Sequence, residues 1–330
     1  MTRSRIAGMG HFVPDRVVTN GELSQHMETS DEWIHQRSGI RERRWVDGNV
    51  GASELAEPAA RSALAEAERT PADVDLILFA TLSPDLNFPG SGCLLGARLG
   101  IPGIAAMDIR TQCTGFLYSL ATADAMVRSD MAKCVLVIGS EVHSSGLDIS
   151  TRGRDVSVLF GDGAGAAVVV ASDDTSMLLD HELHADGRYA EILMVEVPAS
   201  RLQPRLTKEM MDEGRHYPKM DGKAVFKHAV EKLPALVHSI LGRNGYTLDD
   251  VAVLVPHQAN MRINELVARN LGFPPERVVH NIQKYGNTTA ASIPIALHEA
   301  VLEGRIRKGD LVLLAGLGAG LTWGASLVRW

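Results

Sequence analysis

The sequence predicts an α/β fold built from two similar halves, and three observations lead there. Short apolar runs alternate with helical patterns along the whole chain. One stretch of that alternation recurs in the same order further on. Both copies place a polar joint between a strand and a helix, where active groups of open α/β sheets collect.

The runs come first. "DLILFAT" (75–81), "KCVLVIGSEV" (133–142), "AVLVPH" (252–257) and "DLVLLAG" (310–316) are four to eight apolar residues bounded by polar ones, the pattern of buried parallel strands. "RIAGMG" reads as a first strand running to a turn at Pro14-Asp15. "SELAEPAARSALAEAE" (53–68) and "AVFKHAVEKLPALVHSIL" (224–241) carry helical spacing. The echo joins residues 71–140 to residues 248–316: strand, Leu-Gly, strand, polar joint, helix, strand. It implies two halves about a pseudo-twofold axis. In this register Cys113 falls opposite Asn287. Two stretches break the pattern, a loop at 144–156 and a polar excursion at 201–222 that reads as a lid-like insertion.

Composition narrows the function classes. Of 330 residues 45% are hydrophobic and 22% charged, and the net charge of −7 argues against nucleic acid or an anionic membrane as partner. The basic cluster Arg37, Arg41, Arg43, Arg44 reads equally as a solvated face or an anion site. No apolar run reaches the ~18 residues of a membrane span, and the N-terminal apolar segment is too short for a secretory signal. The three cysteines, Cys93, Cys113 and Cys134, have no metal spacing, and a reducing cytoplasm is the expected location. The sequon at Asn287 is then a chance match.

"FGDGAGAA" (160–167) has GxGxx[GA] spacing, but a β-branched run follows it where a dinucleotide loop would open a helix. Tight packing of glycines between layers is expected instead. "HELH" (181–184) lacks the spacing of a zinc site. "RTQCTGFLYSL" (110–120) puts Cys113 at a strand-to-helix joint, where free N–H groups favour thiolate. "VPHQAN" places His257 at a strand end, and "KYGNTTAASIP" places Asn287 before a helix of small residues. Taken alone, these are a loop histidine and an N-cap. Taken with Cys113 in the mirrored half they form a reaction centre: a thiol able to attack a thioester, and two N–H donors for an enolate oxygen. "LGAGLTWG" (317–324) brings a backbone N–H, assigned to Gly320, beside the thiol.

These residues resemble the β-ketoacyl-acyl carrier protein synthase III family: Cys113 in "QCTGFLYSL", His257 in "PHQANMRI", Asn287 in "YGNTTAASIP". "TSDEWIHQRSGIRER", "FGDGAGAAVV" and "GAGLTWGASLVRW" are similar to it too. The resemblance implies a thiolase fold, a five-layer αβαβα sandwich in which residues 1–172 carry the nucleophile and 173–330 the histidine and asparagine, usually as a homodimer. It implies that Cys113 takes an acyl group from acyl-coenzyme A. His257 and Asn287 then stabilise the enolate of malonyl-acyl carrier protein, and the N–H groups of Cys113 and Gly320 form the oxyanion hole. No metal or redox cofactor is implied. By the same matching Trp33, Arg37, Arg152 and Asn260 resemble contacts to coenzyme A, Arg262 and Lys227 a docking patch for acyl carrier protein, and Phe88 a residue inserted by the partner subunit at the acyl pocket.

The long excursion and Gln112, where a small residue is common, leave primer length open. Fatty-acid initiation is the leading reading. A condensing enzyme or acyltransferase of secondary metabolism, taking a longer or unusual acyl group, is the alternative. A thioesterase-like hydrolase and a non-catalytic binding module on the same scaffold are the remaining ones.

Overall fold

The computed structural model describes residues 2–330. The first half lays down, in chain order, β1 (Ser4–Phe12), β2 (Val17–Thr19), α1 (Asn20–Leu23), α2 (Asp31–Ser38), β3 (Glu42–Arg44), α3 (Ala52–Glu66) and β4 (Leu76–Ala80). It continues through α4 (Ser91–Arg98), β5 (Ala105–Ile109), α5 (Gly115–Arg128), β6 (Cys134–Glu141), α6 (Arg154–Ser157) and β7 (Gly163–Ala171). Five of these strands form one sheet in the order β1-β7-β6-β4-β5, while β2 and β3 pair apart as a short ribbon. The pairs β6/β4 and β4/β5 are parallel; β7 runs antiparallel to both its neighbours.

The second half begins with β8 (Met177–Ala185), β9 (Leu193–Val195), α7 (Lys208–Asp212), β10 (Pro218–Met220), α8 (Gly222–Arg243) and β11 (Val251–Pro256). It ends with α9 (Met261–Leu271), α10 (Ile282–Tyr285), α11 (Ser292–Leu302), β12 (Leu311–Gly318) and β13 (Thr322–Arg329). Its sheet is four-stranded, β11-β12-β13-β8, with β11/β12 parallel and the rest antiparallel.

Burial explains the layering. α11 buries eight residues, from Ser292 to Ala300, so it has no solvent face and must lie between two sheets. With α5 it forms the middle layer, sharing one core with both sheets. α3 covers the outer face of the first sheet through an alanine-rich stripe, and α8 with α9 covers the second. This is the predicted five-layer αβαβα sandwich. The glycine-rich stretch 163–167 lies within strand β7, not in a nucleotide loop, and a Cβ at Gly165 would sit 2.6 Å from Pro294 of α11. Glycine lets sheet and helix close up there.

The echo is visible in backbone detail, with one correction. Capping boxes Thr70/Asp73 and Thr247/Asp250 introduce β4 and β11 alike. At the joints, Gln112 (φ 47°) and Thr289 (φ 49°) are both left-handed, and Gly115 and Ser292 open α5 and α11 with the same helical dihedrals. The residue equivalent to Cys113 is therefore Ala290, three positions beyond the expected Asn287. Asn287 lies two residues before Thr289, bridged to Phe160, and lines the cavity from there.

Candidate active site

Cys113, His257 and Asn287 line one cavity of about 550 Å³ between the two sheets. Each arrives from a different element for a local reason. Cys113 sits on the strained elbow between β5 and α5, and Gly318, the last residue of β12, makes room for it. A Cβ at Gly318 would lie 2.5 Å from the cysteine Cβ and 2.8 Å from its sulfur. His257 follows the end of β11, and Asn287 follows α10.

Hydrogen bonds orient the two donors. Ser292 Oγ lies 2.6 Å from His257 Nδ1 and accepts a long bond from the Gln258 N–H. Among the described residues Nδ1 is the only partner for the serine hydrogen, so it accepts, and the imidazole proton resides on Nε2. That Nε2 has no partner in the protein among the described residues. Asn287 Oδ1 accepts from the Thr289 N–H at 2.9 Å, which leaves the amide nitrogen as its uncommitted end. The site thus has one sulfur and two uncommitted N–H donors.

Burial sets the charges. His257 is pushed down to about 3, so it is a neutral donor at working pH. The Cys113 thiol is pushed up to about 12, first by burial and second by the nearby Glu141 carboxylate. This corrects the expectation of a resting thiolate. The N–H groups of Ala319 and of Cys113 itself pull the other way but do not win. Glu141 is raised to about 7 by burial, against bonds from Ser83, Leu82, Thr81 and Ala290.

A second correction concerns the oxyanion donor. The N–H that reaches the sulfur is that of Ala319, not Gly320. β12 ends at Gly318, so the next amide already turns towards the elbow, whereas Gly320 (φ 137°) belongs to the tight return into β13.

At the cavity mouth Trp33, Arg37, Asn260 and Arg262 come together. The Arg37 guanidinium stacks 4.3 Å from the Trp33 ring. Asn260 caps α9 through the Arg262 N–H and donates to the Arg37 carbonyl at 2.9 Å, tying α9 to α2. Arg152 is not with them. It is held by Asp148 at 2.5 Å and by the Asp212 carbonyl at 3.1 Å, anchoring the excursion. Arg154, at the start of the α6 turn, faces Trp33 instead at 5.4 Å. Arg43, from the basic cluster, is neither a solvated residue nor an anion ligand but wholly buried. Lys227 is exposed on α8 and Phe88 is 87% exposed in the loop after β4. The excursion itself contributes α7, and its end supplies His216, Pro218 and Met220 to the cavity wall. Among the described residues no three His, Cys, Asp or Glu side chains form a metal-binding group, and no helix is long and apolar enough to cross a membrane.

The neutral imidazoles make acid stability a test of this geometry. His257 and His143 are both pushed down to about 3 from an ordinary 6.5, so between those values the unfolded chain holds protons that the fold does not. Glu141 acts oppositely from 4.5 to about 7, holding a proton the unfolded chain has lost. Two groups against one leave a loss of about 1.4 kcal/mol per pH unit on acidification from 6.5 to 4.5. His11, His181, His280 and His298, also shifted down by burial, steepen it. Urea midpoints at pH 7, 6 and 5 should fall in that order; a flat series would mean the buried rings are charged.

Comparison with known proteins gives the family and the fold. Residues 107–187 match the family described as 3-oxoacyl-[acyl-carrier-protein] synthase III, and residues 241–330 match its C-terminal part. The β-ketoacyl-[acyl-carrier-protein] synthase III of Roseiflexus castenholzii is 45% identical over 98% of this chain and 97% of its own. The crystal structure of 3-oxoacyl-[acyl-carrier-protein] synthase III from Aquifex aeolicus superposes with a TM-score of 0.91 at 42% identity, covering 99% of this chain and 100% of that one. The priming β-ketosynthase of the R1128 polyketide pathway superposes at 0.89 with 32% identity over 99% and 96% of the two chains.

Proposed function

The chain belongs to the β-ketoacyl-acyl carrier protein synthase III family, and from that membership we propose how its own residues carry out the condensation that starts a fatty-acid chain. The enzyme is an acyltransferase. The Cys113 sulfur attacks the carbonyl of an acyl-coenzyme A, losing its proton as it does so. The N–H groups of Cys113 and Ala319 hold the oxyanion, and coenzyme A departs as its thiol. Malonyl-acyl carrier protein then loses carbon dioxide. His257 Nε2–H and Asn287 Nδ2–H bond the enolate oxygen, and its carbon attacks the acyl-cysteine to release a β-ketoacyl-carrier product and the cysteine thiolate, which takes a proton from water to restore the thiol. The observation that carries this reading is the shared cavity: thiol and two uncommitted donors, drawn from both halves of the chain, meet in it.

Trp33, Arg37 and Arg154 at the mouth hold the nucleotide end of coenzyme A by stacking and charge. Arg262 and Lys227, exposed on α9 and α8, meet the acidic carrier protein. A second copy adds to β5, the edge strand of the first sheet, beside exposed Leu86, Phe88 and Met107. Phe88 then reaches the partner's acyl pocket. The division of the chain at residues 172/173 is supported by the two sheets, whose strands lie within 4–171 and 177–329. The protein works in the cytoplasm without a cofactor.

Mass spectrometry of enzyme mixed with acyl-coenzyme A and then with malonyl-acyl carrier protein separates the steps. His257→Ala should form acyl-Cys113 at near the normal rate and condense about 100- to 1,000-fold more slowly. Equal loss of both steps would mean that the division of roles is wrong. Rapid acyl release without use of malonyl-carrier would make the protein a hydrolase. One observation favours a second reading, an enzyme of secondary metabolism: the likeness to a polyketide priming synthase, together with the excursion that walls the cavity. Exclusive labelling by octanoyl- over acetyl-coenzyme A would select it.

A further inference from the structure

The cavity has a polar group that the proposed condensation leaves unused. It shares Leu159, Met220, Gly222, Phe226 and Asn260 with the mouth beside Trp33, so the thioester enters from that side. The remaining wall, where the acyl chain must lie, includes Leu82, Val142, His143, Leu147, Leu193 and Met194. His143 stands out there. Its side chain belongs to a residue only 7% exposed, and its ring packs 4.6 Å from that of Phe160.

The hydrogen-bond pattern fixes what His143 offers. Its Nε2 lies 2.8 Å from Thr289 Oγ1, and the threonine hydroxyl makes no other hydrogen bond among the described residues. The hydroxyl donates to Nε2, which leaves the ring proton on Nδ1. Nδ1 has no protein partner among the described residues, on a ring that lines the cavity. A ring N–H on the cavity wall with no acceptor from the protein is met by water until a bound chain displaces it, and a chain without an acceptor then leaves it unpaired. Burial also keeps the ring uncharged, pushing it down to about 3, so it suits a neutral acceptor.

Building on the function proposed above, we infer that the acyl primer carries an oxygen acceptor along its chain (ketone, ether or hydroxyl), which His143 Nδ1–H recognises. The primer class is an oxygenated acyl-coenzyme A, and His143 is the specificity-determining residue. The hydrogen bond forms in a site from which water is excluded, where a plain alkyl chain leaves the donor unpaired.

The test compares hexanoyl-coenzyme A with its 4-oxo, 5-oxo and 5-hydroxy counterparts, reading the rate of Cys113 acylation by intact mass. At least one oxygenated primer should exceed hexanoyl by about tenfold in the wild type. His143→Leu should bring that ratio to one or below and speed hexanoyl itself, while His143→Asn, which keeps a donor, should retain part of the preference. Because both primers meet the same protein, the ratio is insensitive to partial misfolding of a variant. Hexanoyl matching every oxygenated primer in the wild type, or an unchanged ratio in His143→Leu, overturns the inference. Normal acylation by acetyl-coenzyme A alongside flat ratios would sink this inference alone; failure of every primer to label Cys113 would instead overturn the function on which it rests.

Discussion

Cys113→Ala is expected to take up no acyl group and to lose condensing activity by about 10,000-fold or more. The sulfur is the only nucleophile among the three groups proposed to react, and nothing nearby replaces it. Thr114 is buried, and its hydroxyl is spent on the Thr111 carbonyl and on Thr322 Oγ1, both at 2.8 Å. The other free cysteines lie elsewhere: Cys134 starts β6 and Cys93 is exposed on α4. The fold should be unaffected, since alanine already occupies the equivalent elbow at position 290. Intact-mass measurement after incubation with acyl-coenzyme A checks the result, and any acyl adduct on the variant would move the nucleophile away from Cys113.

The second large effect is on stability. Arg43→Ala is expected to lower unfolding free energy by about 3–5 kcal/mol, read from urea denaturation at pH 7. The guanidinium is wholly buried and donates to the Val18 carbonyl at 3.1 Å, Asn20 Oδ1 at 2.8 Å and the Val158 carbonyl at 2.8 Å. Burial brings it down only to about 10, so it stays charged in the fold. Among the described residues no carboxylate bonds to it. Its charge is met by these oxygens and, through the Asn20 amide, by Asp31 at 2.8 Å. Removing it leaves three acceptors unpaired around a void in the core that backs α2 and the Trp33 mouth. Arg43→Lys should recover less than half, because one ammonium cannot span three acceptors set in a fork. A loss below 1 kcal/mol for the alanine variant would contradict this account.

How far the letters carried the reading depends on what kind of fact was at stake. Strands β4, β6, β11 and β12 were legible because a strand buried on both faces needs an unbroken apolar run, and each has one. Cys113, His257 and Asn287 were legible as joint residues because polar side chains interrupt apolar runs at those points. What failed was one-residue geometry. Whether Ala319 or Gly320 turns its N–H to the sulfur depends on where β12 stops, which pairing with β13 decides. Whether Arg152 or Arg154 faces Trp33 depends on the turn that opens α6, and both arginines share one loop. The pairing of Cys113 with Asn287 was three residues out of register, which the matched left-handed residues, Gln112 and Thr289, expose. Arg43 looked like its neighbours in the basic cluster because alternation on a three-residue strand is too short to read. His143 gave no signal beyond sitting two residues after Glu141 at a strand end. Its importance arises from Thr289, which lies 146 positions away.

The neutrality of Cys113, His257 and His143 has its own consequence. With the Cys113 thiol at about 12 and the His143 and His257 imidazoles at about 3, neither the sulfur nor these two rings carries an ion while the protein waits for substrate. An uncharged thioester can therefore reach the sulfur without stripping water from an ion on any of these three groups. Negative charge first builds up there when bonds begin to rearrange, and it meets dipoles already aimed at it instead of solvent that must reorient.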